Sequence, residues 1–405
     1  MSGEEIRVRC CIAGGGPAGM MLGLLLARAG VEVAVLEKHA DFLRDFRGDT
    51  IHPSTLDVMA ELGVLEEFLR RPHDEVREIA AQVGAERIVL ADFRHVPARC
   101  KFLAFMPQWE FLDFLAQHGR RYPGFRLRMR TEAVGLIEEG GRVAGVRATA
   151  PQGPLAVRAD LVVAADGRDS TLRDAAGLRS DVLGAPMDVL WMRLPRRVGD
   201  PAATFGHAEA GRLFVMLNRG DYWQCAYVIP KGGFDEVRAA GLSALRQALV
   251  ELSPFLADRV DALRSWDDVK LLTVAVDRLR TWHRPGVLCI GDAAHAMSPI
   301  GGVGINLAIQ DAVAAANRLA PALRSGKLSE DDLAAVQRRR EWPTRMTQAM
   351  QVAIQNRIVR RVLASRARLR APLALRLLRR FPVLRRLPAR LIGIGFRREH
   401  LDQRL

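Results

Sequence analysis

Three glycine-punctuated segments hold the residues best placed to do chemistry. They are Cys11-Ile12-Ala13-Gly14-Gly15-Gly16-Pro17-Ala18-Gly19, Asp166-Gly167-Arg168-Asp169-Ser170-Thr171-Leu172-Arg173, and Gly291-Asp292-Ala293-Ala294-His295. The third is followed by Pro299, Gly301, Gly302, Gly304, Ile305 and Asn306. Glycine at this density strips side chains from a turn, so backbone N–H groups can approach a phosphate or a planar ring. Any one segment is a weak signal. In this order they describe a pocket that grips a dinucleotide from both ends.

The elements around the first turn sharpen the reading. Residues 7–13 are expected to form a buried strand, 17–29 a helix ended by Gly30, and 31–37 a second strand ending at Glu37. That is a βαβ unit, the context that makes a G-x-G-x-x-G match meaningful. Gly14 permits the tight turn, Gly16 gives the pyrophosphate access, and Gly19 lets the helix pack on the strand. Gly15, Pro17 and Ala18 complete the phosphate-facing loop. Glu37 is suited to accept the ribose hydroxyls, and its charge repels a 2′-phosphate; Lys38 adjoins it.

Two later apolar runs, 161–165 and 287–290, deliver Asp166-Gly167 and Gly291-Asp292, and Ser170 is placed to cap a short helix from Thr171. A helix is expected over 307–319. In this order and spacing, over roughly residues 6–320, the chain resembles the FAD-dependent aromatic hydroxylases, flavoprotein monooxygenases similar to para-hydroxybenzoate hydroxylase. The resemblance implies that Asp292 binds the ribityl chain, that Gly301, Gly304, Ile305 and Asn306 cradle the flavin ring, and that Pro299 stands at its reactive face. Ser298 replaces the first of the family's two adjacent prolines. By the same analogy Arg47 and Gln108, at the start of a helix over 109–117, face the cofactor, and the backbone of Val134 meets the adenine. The resemblance also makes Asp166 and Arg168 candidates for flavin and nicotinamide contacts or, equally, for closing their own turn. No second fingerprint is present, so NADH or NADPH is expected as a transient co-substrate.

Residues 180–280 read as antiparallel strands, among them 189–194, 212–217 and 222–230, separated by Gly-Asp turns. The expected fold is therefore α/β. A Rossmann-like FAD-binding domain (1–75, 100–180 and 281–330) is interleaved with an antiparallel-sheet substrate domain (76–99 and 181–280), and a helical C-terminal tail (331–405) follows. Trp191, Phe214, Met216, Trp223 and Tyr227 are the candidate substrate wall, suited to a flat apolar or aromatic molecule. His52 is a candidate to assist deprotonation of a phenol. Otherwise few acid–base groups are required, because nicotinamide supplies the hydride and dioxygen the oxygen atom. The expected activity is hydroxylation or epoxidation of a quinone-like or polyketide-like molecule. Reduction of a prenyl chain and flavin binding without turnover are the alternatives. Halogenation is disfavoured, because the stretch Cys225–Pro230 lacks both tryptophans of the halogenase W-x-W-x-I-P segment.

Composition bounds the partners. Hydrophobic residues make up 49% of 405 residues, and the formal charge is +14. Fifteen arginines between Arg357 and Leu405, against Glu399 and Asp402, account for nearly all of that charge. They alternate with Leu, Ile and Phe rather than with stacking aromatics, which argues against nucleic acid. The tail is expected to break at Pro343, Pro372, Pro382 and Pro388. Its short amphipathic pieces, burying Leu377, Leu378, Phe381, Leu391, Ile392 and Phe396, are expected to pack on the body or in a homodimer contact, with peripheral membrane contact as the alternative. Five scattered cysteines without metal-ligand spacing predict reduced thiols and no metal. The short acidic start predicts no signal peptide and a cytoplasmic location.

Overall fold

The structure, a computed structural model, describes residues 4–43, 50–84, 86–201, 204–367, 369 and 371–403. Arg47 lies outside the described residues. An eight-stranded sheet runs in the order His283–Arg284, Val287–Cys289, Gly153–Ala164, Glu4–Ala13, Val33–Leu36, Phe125–Arg128, with Arg142–Ala150 and Glu132–Glu139 attached to Gly153–Ala164. The strands beside Glu4–Ala13 are parallel to it, Ala13 standing level with Ala164 and Leu36. Cys10, Cys11, Ile12 and Ala13 are fully buried, because helices cover this sheet on its faces. The expected βαβ unit is present as Glu4–Ala13, the helix Pro17–Arg28, and Val33–Leu36.

A second sheet has seven strands: Lys270–Leu272, Met187–Pro195, Tyr222–Pro230, Arg212–Asn218, Phe205–Glu209, Glu78–Val83 and Glu86–Asp92. Alternation sends its side chains to two different environments. One face carries Leu190, Met192, Phe214, Met216, Trp223 and Cys225 and is sealed by Leu245, Leu249 and Leu252 of the helix Leu242–Leu252. The other carries Val189, Trp191, Leu213, Val215, Ala226 and Val228 and meets Ile300, Val359 and Leu363.

The late helices are longer than expected. The helix after the third glycine segment spans Gly304–Ser325, passing Pro321, and the next spans Glu330–Ile354, passing Pro343. Pro343 therefore does not break the chain. It is buried, its carbonyl accepts from Thr347 Oγ1 at 2.8 Å, and packing of the helix offsets the backbone bond that proline cannot make. The helix continues through a π-turn, Gln355–Val359, into Arg360–Ala364. Leu373–Arg380 appears as expected, but Pro388 sits inside the helix Arg386–Gly393, in the first turn where proline is tolerated. The tail packs on the body: Ala389 and Ile394 are buried with Phe93, Val96, Leu103 and Phe105. Contrary to expectation, Leu377 and Phe381 are 41% and 48% exposed.

One buried ionic network joins these layers. Asp311 Oδ2 accepts from Gly291 N at 3.1 Å and from His295 Nε2 at 2.6 Å. Its Oδ1 accepts from Arg340 Nε at 2.9 Å, and Arg340 Nη1 reaches Glu399 Oε1 at 3.2 Å. Asp311 and Arg340 are both fully buried. Burial alone would push the Asp311 carboxyl up, yet His295 and Arg340 hold it below the ordinary value. Arg340→Met should lower unfolding stability by about 3–5 kcal/mol, since it removes the buried cation that Asp311 and Glu399 share. Denaturant unfolding checks this, and an unchanged midpoint would show that the network contributes nothing.

Candidate functional site

The first glycine turn has the shape its sequence requires. Gly14 has φ +105°, and a Cβ there would stand 2.2 Å from Ala165 O; one on Gly19 would stand 2.0 Å from Gly14 O. Both positions are closed to any side chain. A Cβ on Gly16 would meet nothing within 4 Å, so this glycine borders open space. No side chain caps the helix at Gly16, leaving the N–H groups of its first turn and the positive end of its dipole available. Glu37, buried at the end of its strand, accepts from Gly15 N at 3.0 Å and from His39 N at 2.9 Å, which fixes the carboxylate beside the turn. Lys38 is exposed and stands 4.0 Å from Glu132. Val134 is half exposed on Glu132–Glu139.

The second segment closes on itself. Asp166 accepts from Ser170 Oγ at 2.5 Å and Leu172 N at 3.2 Å, and Ser170 caps Thr171–Ala175 through Arg173 N at 3.0 Å. Both Asp166 oxygens thus serve the turn. Burial raises its carboxyl above the ordinary value despite these bonds. Arg168 instead bridges segments, with Nη2 3.5 Å from Asp292 and Nη1 3.3 Å from Thr273 O.

The third segment forms a glycine wall. Pro299 precedes the short turn Ile300–Gly302, in which Gly301 and Gly302 have φ +79° and +62°. The helix Gly304–Ser325 begins three residues earlier than expected, with no side-chain cap, so the amides of Gly304, Ile305 and Asn306 point out of its first turn. The Asn306 side chain is fully committed to protein. Its Oδ1 accepts from His52 N and Thr55 Oγ1, each at 2.8 Å, and its Nδ2 donates to Thr50 O at 2.9 Å and Gly302 O at 3.3 Å. Only its backbone is available to a ligand. Gln108 is buried at the start of the helix Gln108–Gly119.

His52 does not have the environment of a base for a phenol. It is buried, its Nδ1 donates to Ile392 O at 2.7 Å, and burial pulls its pKa down to about 4. A neutral imidazole this weak is a poor proton acceptor at neutral pH. The ring instead ties the tail helix to the glycine wall.

Of the proposed substrate wall, Phe214, Met216 and Trp223 are fully buried on the face sealed by Leu242–Leu252, with Tyr227 packed on the same side. Only Trp191 faces Ile300. Periodicity shows that residues alternate but not which face looks at the flavin loop. Next to that loop is an apolar cavity of about 240 Å³ lined by Ile300, Gly301, Val303, Met350, Ile354 and Leu391 among others. A larger, charged cavity of about 420 Å³, lined by Arg7, Arg9, Arg158 and Asp160, lies toward the amino half of the parallel strands, away from the glycine turns. The residues missed by sequence reasoning are Asp311, Arg340 and Gln351. The available signal was a lone acid, Asp311, directly ahead of the apolar run Ala312–Ala316.

These features fit FAD. The turn closed at Gly14 and Gly19 and open at Gly16 suits a pyrophosphate, and the uncapped helix start behind Gly301 and Gly302 suits the electron-rich end of a flavin. Comparison with known proteins agrees. The family model described as FAD binding domain matches residues 7–350. The chain is 37% identical over 344 residues to 6-methylpretetramide 4-monooxygenase of Streptomyces rimosus, covering 84% of this chain and 82% of that protein. It is 30% identical to rifampicin monooxygenase of Streptomyces venezuelae, covering 74% of this chain and 61% of that protein. The solved structure of PqsL, a probable FAD-dependent monooxygenase from Pseudomonas aeruginosa, superposes with a TM-score of 0.74 at 24% identity, over 89% of this chain and 98% of that one. The fingerprint turn, the glycine wall and these matches together place the chain in the FAD binding domain family, among the FAD-dependent aromatic hydroxylases.

Proposed function

We propose that this flavoprotein monooxygenase uses NAD(P)H and dioxygen to hydroxylate a flat, largely apolar aromatic of polyketide type. The observation that carries this reading is the 37% identity with 6-methylpretetramide 4-monooxygenase across 84% of the chain. The apolar sheet face and cavity beside Ile300 support it. In this reading 1–75, 100–180 and 281–330 hold the cofactor, and 76–99 and 181–280 roof the substrate.

Bound FAD supplies hydride acceptance from NAD(P)H and activation of dioxygen. The chain's own residues bind, orient and exclude water. Gly14, Gly15, Gly16, Pro17, Ala18 and Gly19 form the pyrophosphate cradle, with Glu37 toward the ribose. Asp292, oriented by Arg168, faces the ribityl chain. Gly301, Gly304, Ile305 and the backbone of Asn306 present N–H groups where negative charge builds on reduction. Pro299 supplies a rigid, donor-free edge to the wall, and Trp191 leads the substrate-facing side of the sheet.

The exposed tail favours a second, separable activity: attachment to an anionic membrane surface. Leu373, Leu377, Phe381, Leu384 and Leu387 recur every three or four residues and are 41–71% exposed, with Arg376, Arg379, Arg380 and Arg386 among them. Apolar insertion combined with basic attraction to acidic headgroups is the chemistry of interfacial helices. No helix among the described residues is long and apolar enough to cross a membrane.

Three outcomes follow. Polycyclic phenols and hydroxyquinones should accelerate NAD(P)H consumption at least about tenfold and yield a product heavier by one oxygen; a product gaining only two hydrogens, or no acceleration, overturns the hydroxylase reading. Glu37→Gln should weaken FAD affinity by about 10–100-fold, through loss of a charge-assisted acceptor, as titrated by flavin fluorescence; unchanged affinity removes Glu37 from the cofactor site. Vesicles rich in phosphatidylglycerol should sediment the protein in a salt-sensitive way, while phosphatidylcholine vesicles should not. Leu377→Asp with Phe381→Asp should abolish binding, and equal sedimentation with and without the change rules out the membrane surface.

A further inference from the structure

The apolar cavity of about 240 Å³ beside the glycine wall is a groove between two helices. Ile300 and Gly301 form its floor. Met350 and Ile354, on the helix Glu330–Ile354, form one side; Leu387 and Leu391, on the tail helix Arg386–Gly393, form the other. The groove is continuous with two surfaces described above. Gly301 belongs to the glycine wall, and Ile300 also packs with the inner face of the seven-stranded sheet. It reaches solvent at Leu387, which is 63% exposed, and Met350 and Leu391 are half-buried. Leu384, about one turn earlier in the tail, is exposed as well, so the apolar surface continues beyond the mouth.

The lining is suited to hydrocarbon alone. Every side chain around the groove is apolar. Two carbonyls of its lining residues are already engaged by protein. Ile300 O accepts from Gln351 Nε2 at 2.8 Å, in the buried polar seam of the long helix, and Ile392 O accepts from His52 Nδ1 at 2.7 Å. A phenol hydroxyl or ring carbonyl placed here would give up its water without gaining a hydrogen bond. Water itself needs about two to four polar partners to be held.

The tail side of the groove is also fixed in place. Arg398 Nη1 stands 2.8 Å from Asp57 Oδ2, and Leu401 N donates to Glu61 Oε2 at 2.8 Å, which anchors the end of the chain on the helix Pro53–Glu61. A Cβ on Gly393 would stand 3.2 Å from Pro53 and 3.3 Å from Phe93, so the tail helix lies tight on the body. A wall held this way needs little ordering when a ligand arrives.

We propose that the groove is a subsite for a hydrocarbon chain carried by the aromatic substrate, an alkyl or isoprenoid substituent of several carbons. The ring and its oxygen substituents stay at the sheet face beyond Ile300, and the chain runs along the groove toward Leu387. Met350 and Leu391 are the specificity-determining walls. The assignment rests on the aromatic-substrate reading above and deepens it.

The test is equilibrium dialysis of the FAD-loaded enzyme against 2-hydroxy-1,4-naphthoquinones that carry hydrogen, butyl or octyl at carbon 3. Affinity of the wild type should rise about two- to fourfold per added methylene and level off once the groove is filled. Leu391→Trp and Met350→Trp plug the groove from opposite sides. Each should erase the chain preference while keeping the wild-type affinity for the unsubstituted ring and for FAD. Equal binding of all three compounds by the wild type, or a chain preference that survives both plugs, overturns the subsite and leaves the aromatic-substrate reading standing. Plugs that weaken the unsubstituted ring as much as its octyl derivative also overturn it, since the groove then holds the ring itself. Loss of FAD or of the native thermal midpoint in both variants overturns it too, marking the groove as part of the flavin's own seat or of the core. Failure of the wild type to bind any of the three overturns both readings.

Discussion

The carboxylate of Asp311 is the interaction on which the rest of the architecture depends. It accepts from Gly291 N, His295 and Arg340 while wholly enclosed. Through Gly291 it fixes the turn that presents Asp292, and through Arg340 and Glu399 it anchors the end of the chain. A single enclosed anion with two cationic or polarised partners has few alternative arrangements in a low-dielectric interior. The third glycine segment and the tail consequently share one geometry.

The glycine wall shows how side chains remote from a ligand can shape its site. Asn306 spends both amide ends on His52, Thr55, Thr50 and Gly302, and Gln351 grips Ser298 and Ile300. These bonds fix the backbone between them through groups that are not themselves glycine-wall amides. Preorganised N–H groups of this kind are worth most where water is excluded. The tail contributes to that exclusion, since Ile392 lies against Gly301 and is bonded to His52.

Much of this was legible in the sequence because it depends on local rules. The fingerprint turn needs glycine at positions 14 and 19 for steric reasons that operate within a few residues, so its spacing alone defines it. The strands Arg212–Asn218 and Tyr222–Pro230 follow from alternation and the turn between them. What failed was decided at long range. Which sheet face looks at Ile300 depends on where Leu242–Leu252 docks, so Phe214, Met216 and Trp223 looked like a binding wall and are core. Pro343 looked like a break, but burial of the surrounding seam carried the helix through it. His52 looked like a possible base, and only the distant Ile392 reveals its enclosure.

The order of strands in the larger sheet bears on how the molecule is made. Glu4–Ala13 pairs in parallel with Gly153–Ala164, which itself has Val287–Cys289 as its outer neighbour. The central strand therefore finds its neighbours only across long stretches of intervening chain. Such non-local pairing is slow and exposes sticky intermediates during synthesis. Completion of this sheet thus depends on closing long loops, set by the position of one strand at its centre.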